Sequence, residues 1–126
     1  MPENSQELHE DPSVLSAQTT DKHRAIASIM EELEAVDWYQ QRVEATSDGG
    51  LASILAHNRD EEKEHAAMVI EWLRRHDEVF DRQLRTYLFT TLPVTEVESA
   101  GAAGAPPAAG AQGGSLGIGS LQGRSS

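Results

Sequence analysis

The sequence predicts an all-α protein: an antiparallel two-helix hairpin plus a short C-terminal helix, half of a four-helix bundle that a second copy of the chain completes. Three observations predict it. Apolar residues recur at three- and four-residue steps over two long stretches, and a short glycine-rich turn joins those stretches. The foldable part of the chain is also too small and too polar to close a core by itself. The 126 residues are 38% hydrophobic, and from Ala100 onward "AGAAGAPPAAGAQGG" offers nothing to bury, so only the first 97 residues or so are candidates for a packed fold.

The first 12 residues read as a flexible leader and residues 13–97 as the helical domain. Residues 98–114 read as a Gly/Ala/Pro linker, and 115–126 as a separate terminal peptide. Helix one is expected over about Ser16 to Thr46, opened by Ser/Thr/Asp capping residues and stopped by Gly49 and Gly50. Its apolar residues are Ile26, Ile29, Met30, Leu33, Val36 and Val43. Helix two, about Leu51 to Arg75, repeats the spacing with Leu51, Ile54, Leu55, Val69, Trp72 and Leu73. The four residues "SDGG" between them are short enough to force the two helices antiparallel. "DEVFDRQLRTYLFTTLP" supplies the third helix, with Val79, Phe80, Leu84, Tyr87 and Leu88 on its apolar side, ending before Pro93.

Ten basic residues against 21 acidic ones leave a net charge of -11, which repels nucleic acid and anionic membrane surfaces and favours cations as guests. There is no cysteine, so any metal site must be built from oxygen and nitrogen donors. The N-terminus has neither a basic start nor an apolar run, and no stretch approaches the roughly 18 to 20 apolar residues of a membrane span. The expectation is a soluble, cytoplasmic chain.

Within "EEKEHAAM", residues 61–68, Glu62 and His65 fall inside the apolar stripe of helix two, about 80° and 20° around from Ile54. Burying an unpaired carboxylate costs several kcal/mol, so it must be neutralised, paired or bound to a metal. On helix one, Glu32 lies on the flank of the stripe, about 60° from Ile29. With the hairpin's midpoint between Asp48 and Gly49, position 32 mirrors position 65, so Glu32, Glu62 and His65 meet at one level. Two carboxylates and an imidazole suit iron, manganese or zinc and leave coordination positions open for water or dioxygen. Among five histidines in so acidic a chain, one E-x-x-H spacing is expected by accident. Its place in the apolar stripe and the carboxylate level with it on the other helix are what give the motif meaning.

Bundles that hold two metal ions on carboxylates take a Glu from each of two helices and a Glu-x-x-His from each of the other two. This chain supplies one of each, which implies that two hairpins meet about a two-fold axis and complete a dinuclear centre between them. On the far side of helix one, Glu31, Glu34 and Trp38 form either a solvated face with one tryptophan or an outer site that captures a divalent cation and passes it inward. Tyr39 either hydrogen-bonds a ligating carboxylate or simply packs. The other four histidines suit solvent or helix-end roles. In the terminal "SLGIGSL", Leu116, Ile118 and Leu121 interrupt a polar, glycine-rich background and are either incidental or a docking peptide.

"EELEAVDWYQQR", "HNRDEEKEHAAM", "RTYLF" and the terminal "SLGIGSL" together resemble the encapsulated ferritins, ferritin-like cargo of encapsulin nanocompartments. The resemblance covers most of residues 13–97 and residues 115–121. It implies a ferroxidase whose subunit dimer holds two iron ions, with dimers arranged in a ring-shaped decamer. Carried over by position, Glu32, Glu62 and His65 are the iron ligands. Glu31, Glu34 and Trp38 form the outer site, and Tyr39 sits near the centre. Members oxidise Fe(II) with dioxygen and pass Fe(III) to the lumen of the encapsulin shell, inside the cytoplasm. Leu116, Gly117, Ile118, Gly119, Ser120 and Leu121 resemble the peptide that docks on the shell's inner wall. The residues by themselves also fit a non-catalytic helical adaptor, or a zinc or manganese protein without redox turnover.

Overall fold

The computed structural model describes residues 6–104, which are helical and contain no strand. A single 3-10 turn, Pro12–Val14, comes first, its free end closed by the Asp11 carboxylate, which accepts the Ser13 amide at 2.9 Å. Helix α1 spans Ala17–Ala45 and α2 spans Gly49–His76. Both start on side-chain caps: Ser16 Oγ accepts the Thr19 amide at 3.0 Å, and Asp48 Oδ1 accepts the Leu51 amide at 2.9 Å.

The turn differs from its expected form. Gly49 and Gly50 do not end α1; they are the first two residues of α2. The stop is Thr46, which swings to extended backbone at φ -80° and ψ 144° while its amide closes on Arg42 O. Asp48 then restarts the helix, so the connection is three residues, Thr46 to Asp48. A short polar residue that caps is enough to separate two helices; the glycines are not needed for their φ.

The chain divides into two compact units at the His76–Asp77 junction. In the first, α1 and α2 pack as the hairpin. The buried apolar residues there are small or few: Ala25, Ala66 and Leu73. Ile26, Leu33, Leu51, Ile54 and Met68 stay exposed, so the apolar stripes are wider than the contact between the two helices can cover. In the second unit, α3 (Glu78–Tyr87) is capped by Asp77, whose carboxylate accepts the Phe80 amide at 2.8 Å. Phe89 follows the helix with φ 63°, and α4 (Val94–Gly104) packs on α3 with Val97 buried.

Helix α4 runs into residues 98–104, where composition suggests linker. Pro93 starts it, with Pro93 O accepting the amides of Glu96 and Val97, and alanine then sustains it despite the glycines. The remainder of the linker and the peptide of residues 115–126 lie outside the described residues. Among the described residues no helix is long and apolar enough to cross a membrane.

Candidate metal centre

Helical spacing puts Glu62 and His65 on one face of α2, because residues three apart are neighbours. The hairpin register brings Glu32 of α1 beside them. One ligand atom from each of the three lies within 4.8 Å of the other two, and all three residues are half-buried. This is the level pairing of positions 32 and 65 that the mirror relation about the turn predicts.

The polar atoms in the cluster are unequally satisfied. Glu62 Oε1 lies 3.2 Å from His65 Nδ1. Glu32 Oε1 is buried and has no hydrogen-bond partner. A buried, unpartnered carboxylate oxygen is costly unless a cation or a hydrogen-bond donor reaches it. His65 is held above the ordinary imidazole range, chiefly by its hydrogen bond to Glu62. The charges of Glu62, Glu32 and Glu61 add to that, and partial burial opposes it. The carboxylates around the ring outweigh any positive charge in the pocket, an environment that favours a cation. The donor set fits iron: hard carboxylate oxygens with one imidazole nitrogen.

Among the described residues, Glu32, Glu62 and His65 are the one group of three such ligands close enough to hold an ion. Glu31, Glu34 and Trp38 are exposed, Trp38 to 48%, and the carboxylates make no such group within one chain. Tyr39 is half-buried, with the Arg42 guanidinium 5.5 Å from its ring centroid, and its hydroxyl does not bond Glu32 Oε1. Glu61 was not singled out by pattern, although its position four residues before His65 places its charge on the same side of α2. Also missed was a hydrogen bond across the hairpin, Arg59 Nη1 to Gln40 Oε1 at 2.7 Å. Neither residue stands out in sequence, since polar side chains on an acidic helix look like solvated surface.

The model of the EncFtn-like family matches residues 7–91. An encapsulated ferritin-like protein from Rhodospirillum rubrum is 58% identical over 130 residues, covering 98% of this chain and 93% of that protein. A ferritin-like protein from Thermotoga maritima is 50% identical over 112 residues, covering 89% and 95%. Among solved structures, a crystal structure of a Nitrosomonas europaea protein superposes with a TM-score of 0.67 at 60% identity, covering 69% of this chain and 96% of that one. The two long packed helices are therefore a ferritin-like helical fold, and the family model spans the whole of the hairpin that carries the cluster. The chain belongs to the EncFtn-like family, the encapsulated ferritins that its motifs resemble.

Proposed function

We propose that the protein is a ferroxidase that oxidises Fe(II) to Fe(III) with dioxygen at a di-iron centre shared by two subunits, and that it delivers iron for storage inside an encapsulin shell. The observation that carries the reading is the buried, unpartnered Oε1 of Glu32, a residue clustered with Glu62 and His65. One chain supplies one Glu and one Glu-x-x-His, half of what a dinuclear carboxylate site takes, and its apolar residues Ile54, Met68 and Leu51 are left open on the helix that carries Glu62 and His65. A second hairpin would cover such a surface and double the ligand set. Two Fe(II) ions, one per subunit, would each give one electron to dioxygen there. Glu32 and Glu62 neutralise the added charge and favour Fe(III), the harder ion. His65 would supply a ring nitrogen in its neutral form.

Glu31 and Glu34, with Trp38 beside them, would form the outer site that collects divalent cations. Tyr39 would lie close to the centre. The dimers would assemble into a ring-shaped decamer. Leu116, Gly117, Ile118, Gly119, Ser120 and Leu121 would dock the protein inside a cytoplasmic nanocompartment; the name of the Rhodospirillum rubrum relative supports this.

The test is anaerobic Fe(II) loading followed by dioxygen, with Fe(III) formation followed in wild type, Glu32→Ala and His65→Ala. Fast oxidation in wild type and the protein-free rate in both variants are expected. A wild type no faster than buffer would leave these ligands to zinc, manganese or assembly. For the tail, removal of residues 115–126 is expected to abolish co-purification with a co-expressed encapsulin while iron oxidation persists; retained loading would refute the docking role.

A further inference from the structure

Resting on the metal-centre reading above, we propose that Arg59 and Gln40 form a register clamp that positions Glu32 opposite Glu62 and His65. The relation between these ligands is not fixed where they meet. Glu62 and His65 hold each other within α2, but Glu32 Oε1 is bonded to nothing. Where Glu32 lies relative to the pair thus depends on how α1 sits along α2. The apolar packing between the helices is non-directional. The fully buried apolar residues of the hairpin are Ala25, Ala66 and Leu73, with Ile29, Met30, Val36, Leu55 and Val69 half-buried, and none of these contacts carries a directional bond.

A directional contact supplies what the packing lacks. Arg59 Nη1 donates to Gln40 Oε1 at 2.7 Å across the two helices. Both ends of this bond are themselves held. The Arg59 fork is set by Asp60, through Nε at 2.9 Å and Nη2 at 3.2 Å. The Gln40 amide is oriented by donating to Glu44 Oε2 at 2.6 Å. The Arg59 side chain is only 21% exposed, which shields the link from competing water. Acid, guanidinium, amide and acid form a line of charge-assisted bonds that spans the hairpin.

Neither clamp residue is placed to be a ligand. Around α2, Arg59 is about 60° from Glu62 and about 120° from His65; around α1, Gln40 is about 80° from Glu32. The clamp lies between the loop and the ligands, three residues before Glu62 and eight after Glu32. Its influence on the metal must pass through register. A slip of one residue moves Glu32 by about 1.5 Å along the helix. Metal–ligand distances tolerate about 0.2 Å, so even a fraction of such a slip would remove Glu32 from the coordination sphere. Arg59 and Gln40 are positioning residues, and their loss should appear in how the metal is held.

The test uses the full chain with Co(II) as a spectroscopically visible probe, and circular dichroism to follow helix content. Arg59→Ala and Gln40→Leu are each expected to weaken Co(II) binding roughly 10- to 100-fold and to change its visible absorption, with helicity retained. The combined variant should be no weaker than either single one, because both break the same link. Gln40→Glu together with Glu44→Gln returns an acceptor to Arg59 and a donor to position 44, and should restore wild-type affinity and spectrum. If Arg59→Ala does not fold, Gln40→Leu and this exchanged pair carry the same comparison. Wild-type binding and spectrum in Arg59→Ala, additive losses, or an exchanged pair as weak as Gln40→Leu would overturn the clamp alone. A wild-type chain that takes up no Co(II) would overturn the metal-centre reading and the clamp with it.

Discussion

At Glu32 a carboxylate oxygen is buried with no hydrogen-bond partner, beside a second carboxylate whose own partner is an imidazole. An atom in that position weakens the metal-free fold. Glu32→Leu keeps the bulk and removes the unsatisfied group, so it should stabilise the metal-free protein by about 1–3 kcal/mol while abolishing the rise in Tm that metal gives wild type. Thermal scans of both forms with and without Mn(II) check this, and a metal-free variant less stable than wild type would show Glu32 to be a structural residue. The cluster of Glu32, Glu62 and His65 was legible in the sequence because two simple periodicities intersect there: the helical repeat puts Glu62 and His65 in an apolar stripe, and reflection about the turn puts Glu32 level with them. Gln40 and Arg59 were not legible. Their significance is a single bond between helices, and nothing in the residue types distinguishes that bond from solvation.

The ends of the helices show how a correct element can rest on a mistaken signal. Both long helices are where periodicity places them, yet Gly49 and Gly50 belong to the start of α2, because Thr46 and Asp48 perform the stop and the restart. Helix α4 was hidden because its alanines and glycines read together as linker, whereas alanine after an initiating proline favours helix. The C-terminal end of α2 allows a pH prediction. Glu71 accepts from Arg74 Nε and Nη2, both at 2.8 Å, and from Arg75 Nε at 2.6 Å. The Arg74 hydrogen bonds come first among the causes that hold its carboxyl down to about 2 from an ordinary 4.5, with burial opposing and Arg75 assisting. The folded value is depressed, so this contribution to stability is present above about pH 4.5 and is lost as pH falls through about 2. The Glu71 side chain is 40% exposed, so solvent screening limits the contribution to about 0.2–1 kcal/mol. Denaturation of wild type and Glu71→Gln should therefore differ at pH 7 and converge as pH falls from 4.5 towards 2. A difference that stays constant with pH would show that the ion pairs contribute nothing to folding.

For the whole molecule the decisive fact is how little one chain buries. The hairpin's buried apolar residues are two alanines and a leucine, and large apolar side chains remain open around them. If a second hairpin covers those side chains, stability depends on association. On the proposed reading Tm should rise with protein concentration, and metal should shift assembly towards larger species because two chains would share the centre. Sedimentation and thermal scans over a hundredfold range of concentration, with and without Mn(II), check this. A Tm independent of concentration would mean the hairpin stands alone.

That slender core has a consequence for a cell handling a reactive metal. A newly made chain that has not yet paired would be open to proteolysis, because a marginal fold is what proteases clear first. On the proposed reading it also holds only half of the redox site. Chemistry that could generate damaging oxidants is thus postponed until chains have accumulated enough to pair, and stray copies are removed before they can begin it. On that reading the weakness of the lone hairpin would act as a safety interlock, tying iron oxidation to a crowd.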